Sequence, residues 1–90
     1  MTSANKKWVV AIARPAQKSL KRIPLQDQVR IREAIDEMEA NPFQGDVRKL
    51  KGDRLGFRRR VGDWRIFFDP YPDEYRVVVT GIERRTSTTY

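Results

Sequence analysis

A two-residue turn constrains this chain more than any other feature. Gly62-Asp63 separates two β-rich runs, Phe57-Arg58-Arg59-Arg60-Val61 and Trp64-Arg65-Ile66-Phe67-Phe68, which is the signature of a tight hairpin. Such a turn sets the register: Val61 faces Trp64, Arg60 faces Arg65, Arg59 faces Ile66 and Arg58 faces Phe67. Side chains alternate between the faces of a strand, so Arg58, Arg60 and Arg65 project from the same face. Like charges directly opposite each other destabilise a sheet. Arg60 facing Arg65, with Arg58 two places along, makes best sense where a polyanion fills the space between them, so the face reads as a phosphate-binding surface.

The rest of the composition agrees with an anionic partner. Nineteen Lys and Arg against twelve Asp and Glu give a net charge of +7, which favours nucleic acid. The excess is clustered, because Arg48, Lys49, Lys51, Arg54, Arg58, Arg59, Arg60 and Arg65 are opposed over that stretch only by Asp53 and Asp63. The chain has no histidine and no cysteine. Disulfides and thiolate chemistry are therefore excluded, and so are the commonest general acid/base and the commonest metal ligand. Any catalysis must use Arg, Lys, Tyr or carboxylates, and the activity is expected to need neither a metal nor a cofactor. No apolar run approaches membrane-spanning length, and no charged start leads into an apolar signal core. The expected location is the cytoplasm, a reducing compartment in which a small domain does without staples.

Residues 1–90 suit one small domain with a thin core, which buries ~60% or a little more of the surface its unfolded chain exposes. Trp8-Val9-Val10-Ala11-Ile12-Ala13 reads as a first strand. Arg14-Pro15 opens a short basic helix that Pro24 ends, with Ala16 and Leu20 on one face. A second helix is expected from Leu25 to Ala40, where Ile31, Ala34, Ile35 and Met38 form one buried stripe. Leu25 and Val29, on another flank, are placed to meet the first helix. Val47 to Leu50 is a short strand, Lys51 to Gly56 a turn, and Tyr75-Arg76-Val77-Val78-Val79-Thr80 a central strand, with Gly81 to Tyr90 as exit and tail. The expected fold is α+β: an N-terminal strand, a helical hairpin, then an antiparallel sheet of three or four strands with the helices on one face. Phe57, Trp64 and Phe68 point inward, and Phe67 points to the arginine face. Arg59 falls in the inward phase, which means either that it snorkels to an edge or that the strand bulges.

Three stretches together resemble the RelE/ParE superfamily of bacterial and archaeal toxins. They are Arg48-Lys49-Leu50-Lys51-Gly52, the hairpin from Phe57 to Ile66, and Ile82-Glu83-Arg84-Arg85 with a terminal Tyr90. The likeness spans nearly the whole chain. RelE-like members cut mRNA in the ribosomal A site and are neutralised by an antitoxin, whereas ParE-like members share the fold and poison DNA gyrase. The RelE likeness implies that Arg65 binds the scissile phosphate, that Arg84, just past the last strand, protonates or stabilises the leaving oxygen, and that Tyr90 stacks on the cut nucleotide. It makes Arg58 and Arg60 the basic pair of the preceding strand, where the best-known RelE has two lysines. Arg48, Lys49, Lys51, Arg54 and Arg85 would add contacts to RNA phosphates.

In that reaction the ribose 2′-OH attacks its own 3′-phosphate and expels the next nucleotide's 5′-oxygen, so the substrate supplies a nucleophile that DNA lacks. Arginine suits the neutralisation of a crowded phosphate, because a guanidinium forks onto two oxygens and stays charged. It is a poor base at neutral pH. Catalysis is therefore expected to be mainly electrostatic, and the 2′-OH proton leaves to water, to RNA or to an unidentified carboxylate. Two other classes of function stay open: a gyrase poison, against which Arg84 and Tyr90 argue, and a passive nucleic-acid-binding relative. The implied partners are an acidic RelB-like antitoxin, the ribosome with its mRNA, and operator DNA reached through the antitoxin complex.

Overall fold

The computed structural model describes residues 7–51 and 56–85. In chain order these form strand β1 (Val9–Ile12), helices α1 (Arg14–Arg22) and α2 (Leu25–Glu37), strands β2 (Asp46–Lys49), β3 (Phe57–Val61) and β4 (Trp64–Tyr71), a 3₁₀ turn (Pro72–Glu74) and strand β5 (Arg76–Arg84). The sheet order is β1-β5-β4-β3-β2. Strands β2 to β5 form the expected antiparallel meander, and β1 adds a fifth strand parallel to β5, Val10 pairing with Val77 and Ile12 with Val79. The architecture is thus α+β with a mixed sheet.

Local chemistry accounts for the helix limits. Pro15 stands in the first turn of α1, and Lys21 and Arg22 in its last turn oppose the negative end of the helix dipole. Pro24 separates the helices, and Asp27 lies in the first turn of α2. That helix stops three residues earlier than its sequence pattern suggests. Met38, Glu39 and Ala40 donate their N–H groups to residues three back, so the chain tightens into turns. The Asn41 side chain then accepts the Phe43 N–H at 3.0 Å and turns the backbone away.

The core lies between one sheet face and the helices. Ile66, Phe68, Val77, Val79 and Ile82 from the sheet meet Ala16, Leu20, Ile23, Ile31, Ala34, Ile35 and Met38. Phe57 and Trp64 share that face but are only partly buried. Leu25 and Val29 do not meet α1 as expected and remain 75% and 56% exposed. Strand β5 runs through Gly81–Arg84, which the sequence pattern assigns to the tail. No described helix is long and apolar enough to cross a membrane.

Candidate functional site

The hairpin has the expected register, with Arg60 opposite Arg65 and Arg58 opposite Phe67. Gly62 takes φ +59° while Asp63 does not take a positive φ, the pattern of a type II′ turn, which matches the twist of its two strands. No bulge interrupts β3. Arg59 points to the helix side, as its phase requires, and reaches α2 by donating to Ala34 O at 3.2 Å and to Glu37 Oε1 at 2.6 Å.

On the opposite face the pairings of β2 and β5 complete two rows across the sheet. One reads Asp46, Arg60, Arg65, Glu83, and the next reads Arg48, Arg58, Phe67, Gly81. The Arg60–Arg65 pair is therefore not bare, since a carboxylate stands at each end of its row. The uncompensated like charges are Arg48 and Arg58, which face each other with no acid in their row. Arg58 and Arg65 are half-buried. Among the described residues Arg58 Nη1 and Arg65 Nε are buried without a hydrogen-bond partner, and donors left in that state cost free energy until an acceptor arrives. Phe67 is only 6% exposed, so it forms the floor of this face and offers no open ring for a base to stack on.

A bulge in β5 decides what joins the arginines. Phe68 pairs with Val79 and Phe67 with Gly81, leaving Thr80 as an extra residue whose hydroxyl donates to Phe67 O at 3.3 Å. One extra residue reverses the side-chain phase beyond it. Ile82 consequently enters the core, Glu83 comes to the arginine face opposite Arg65, and Arg84 goes to the helix side opposite Trp64. The Arg84 guanidinium lies 5.9 Å from the Trp64 ring centroid. Arg84 is thus the last residue of β5, not a residue past it, and the sheet separates it from Arg65. Arg85 follows, exposed, with its N–H held by Asp63 O at 2.6 Å; by alternation it takes the phase of Glu83.

The remaining basic residues divide. Arg48 stands on the arginine face. Lys49 pairs with Phe57 and so takes the helix-side phase, exposed. Lys51 is exposed just beyond β2. Arg54 and Tyr90 lie outside the described residues. Asp46 and Glu83 are the two residues of the face that sequence reasoning overlooked. Nothing local to either one signals its place, which depends on how β2 and β5 pair.

Residues 10–87 match the family described as ParE toxin of type II toxin-antitoxin system, parDE. The chain belongs to the ParE toxin family. The expected membership of the RelE/ParE superfamily is thereby borne out, and the molecule is a toxin of the type II class. It is also 28% identical over 82 residues to the putative toxin RelE1 of Methanocaldococcus jannaschii, covering 88% of this chain and 91% of that protein. The fold of the toxin matches that in the archaeal RelE–RelB complex from Pyrococcus horikoshii, with a TM-score of 0.79 at 24% identity over 91% of this chain and 99% of that one. It also matches the RelBE2 toxin-antitoxin complex from Mycobacterium tuberculosis, with a TM-score of 0.78 at 20% identity over 88% and 92% of the two chains.

Proposed function

We propose that this toxin is a ribosome-dependent endoribonuclease that cuts mRNA in the A site by attack of a ribose 2′-OH on the adjacent phosphate. The observation that carries the reading is the convergence of Arg48, Arg58, Arg60 and Arg65 on one sheet face, with guanidinium donors of Arg58 and Arg65 left unsatisfied. Such a face binds a phosphodiester and favours its more highly charged transition state over the ground state. Arg65 is assigned to the scissile phosphate, and Arg58 and Arg60 to its charge. Arg48, Lys51 and Arg54 would hold the flanking RNA. Arg85, which shares the phase of this face, is a better partner for the leaving oxygen than Arg84. Tyr90 keeps the role of positioning the cut nucleotide.

The control of this activity would come from an acidic antitoxin that covers the arginine face, as RelB partners RelE in the complex from Pyrococcus horikoshii. That pair would reach operator DNA through the antitoxin. A second reading is a gyrase poison, favoured by the ParE description of the matching family.

The test is to add the toxin to a defined translating system and map mRNA 5′ ends, with Arg65→Ala alongside. Breaks within the A-site codon that disappear in the variant support the ribonuclease. An intact message together with inhibited gyrase supercoiling supports the poison.

A further inference from the structure

The arginine face holds the phosphate chemistry but no base, since a guanidinium keeps its proton at neutral pH. The register places a carboxylate beside it. Glu83 is the direct cross-strand neighbour of Arg65, on the same face and exposed. Directly opposite residues have Cβ atoms ~5 Å apart, so an oxygen of Glu83 lies within side-chain reach of a phosphate seated on Arg65. Asp46, the other acid of the row, stands on the far side of Arg60. With strands ~4.8 Å apart, it is two strand spacings from Arg65, against one for Glu83.

A second observation favours the Glu83 side. A cavity of about 410 Å³ borders Glu83 and not Asp46, lined by Phe67, Asp69 and Gly81 and also by Pro15, Ser19 and Ile82 from the helix side of the sheet. Its volume falls in the range of ~300–1,000 Å³ typical of small-ligand sites. Phe67 supplies an apolar wall, and Gly81 presents no side chain.

We propose that Glu83 is the general base of the cleavage, an assignment that rests on the ribonuclease reading above. The Glu83 carboxylate takes the proton of the 2′-OH as O2′ bonds to phosphorus. The bond from phosphorus to the 5′-oxygen of the next nucleotide breaks with its electron pair, and that oxygen takes a proton from water or a cationic donor. The products are a 2′,3′-cyclic phosphate and a 5′-hydroxyl. Proton count and charge balance without an external reagent. The charged groups around Glu83 suit the role. Arg65 faces it from β4, with Arg60 beyond on β3, while Arg84 and Arg85 follow it in the chain. Asp69 shares the cavity.

Single-turnover cleavage of an A-site codon in programmed ribosomes, measured across pH, tests the assignment with wild type, Glu83→Gln and Glu83→Asp. An mRNA carrying a 2′-deoxy sugar at the attacking position serves as the control for chemistry. Because Glu83 is exposed, the fold is expected to survive both substitutions, which urea unfolding checks. The expected result is that Glu83→Gln slows cleavage ~100-fold or more, the usual range for a lost general base. It should also abolish the rise of rate with pH on the acid side, and Glu83→Asp should restore part of the rate together with that rise. Wild-type rates in Glu83→Gln, or a slower rate with an unchanged pH profile, overturn the assignment while the ribonuclease reading stands. A wild-type toxin that leaves the all-ribose message intact overturns both.

Discussion

Arg59 of β3 and Glu37 of α2 meet at 2.6 Å across the seam between sheet and helix, with the Arg59 side chain 12% exposed and that of Glu37 50% exposed. The arginine also donates to Ala34 O at 3.2 Å, so it ties strand to helix at two points. Its place in the row of three consecutive arginines suggests a nucleic-acid contact, but its role is packing and pairing on the far side of the sheet. Arg59→Ala is expected to cost about 1–3 kcal/mol, the range for a charged hydrogen-bonded group in a partly buried site. RNA cleavage per folded molecule should be unchanged. Urea midpoints read alongside cleavage rates separate the two effects, and a variant that loses activity without losing stability would place Arg59 in the site.

Arg84 and Arg85, adjacent in the chain, should differ in their effect on cleavage because they take opposite phases of the sheet. Arg65→Ala is expected to lower A-site cleavage ~100-fold or more, as removal of a transition-state donor does. Arg84→Ala, which removes only a contact over the Trp64 ring, should lower it less than Arg85→Ala. Primer-extension mapping of a translated message with the three variants side by side gives the order. A loss for Arg84→Ala equal to that for Arg65→Ala would show that both arginines reach the RNA.

Replacement at Arg60 tests charge against proton transfer on the arginine strand. Arg60→Lys should preserve cleavage, since it keeps a cation beside Arg65, whereas Arg60→Ala should reduce it. Equal rates for Arg60→Ala and the wild type in the same translating system would remove Arg60 from the chemistry.

Thr80 carries the phase of the whole C-terminal end of β5. Deleting it removes the extra residue and lets the pairs Phe68–Val79, Phe67–Gly81, Ile66–Ile82 and Arg65–Glu83 run on in unbroken alternation, so Ile82 stays in the core and Glu83 on the arginine face. The deletion is therefore expected to keep cooperative unfolding. Inserting one residue after Thr80 instead drives the later side chains out of phase or forces a wider bulge, and is expected to cost far more. Thr80→Val, which loses only the bond from the hydroxyl to Phe67 O, should cost about 1 kcal/mol. Thermal unfolding followed by circular dichroism distinguishes the outcomes.

Gly56 enters β3 with φ +100°. A Cβ there would strike the Asp69 carboxylate and lie 2.9 Å from Phe68 O. Gly56→Ala is therefore expected to destabilise the fold by about 1–3 kcal/mol through strain and displacement of Asp69, read as a lower urea midpoint with an unchanged slope.

What the amino-acid sequence determined by itself was short-range. The Gly62-Asp63 turn acts over a few residues, and it alone sets the β3–β4 register that brings Arg58, Arg60 and Arg65 to one face. The helix limits at Pro15 and Pro24 and the buried stripe of α2 are equally local, because proline geometry and helical spacing need no distant partner. Only the tertiary structure decided which residues complete that face. The parallel pairing of β1 with β5, the pairing of β2 that adds Asp46 and Arg48, and the bulge at Thr80 that exchanges Arg84 for Glu83 all depend on contacts between distant parts of the chain. A single extra residue in a strand leaves almost no trace in sequence. In three dimensions it moves every later side chain to the other side of the sheet, because the side-chain period of a strand is two.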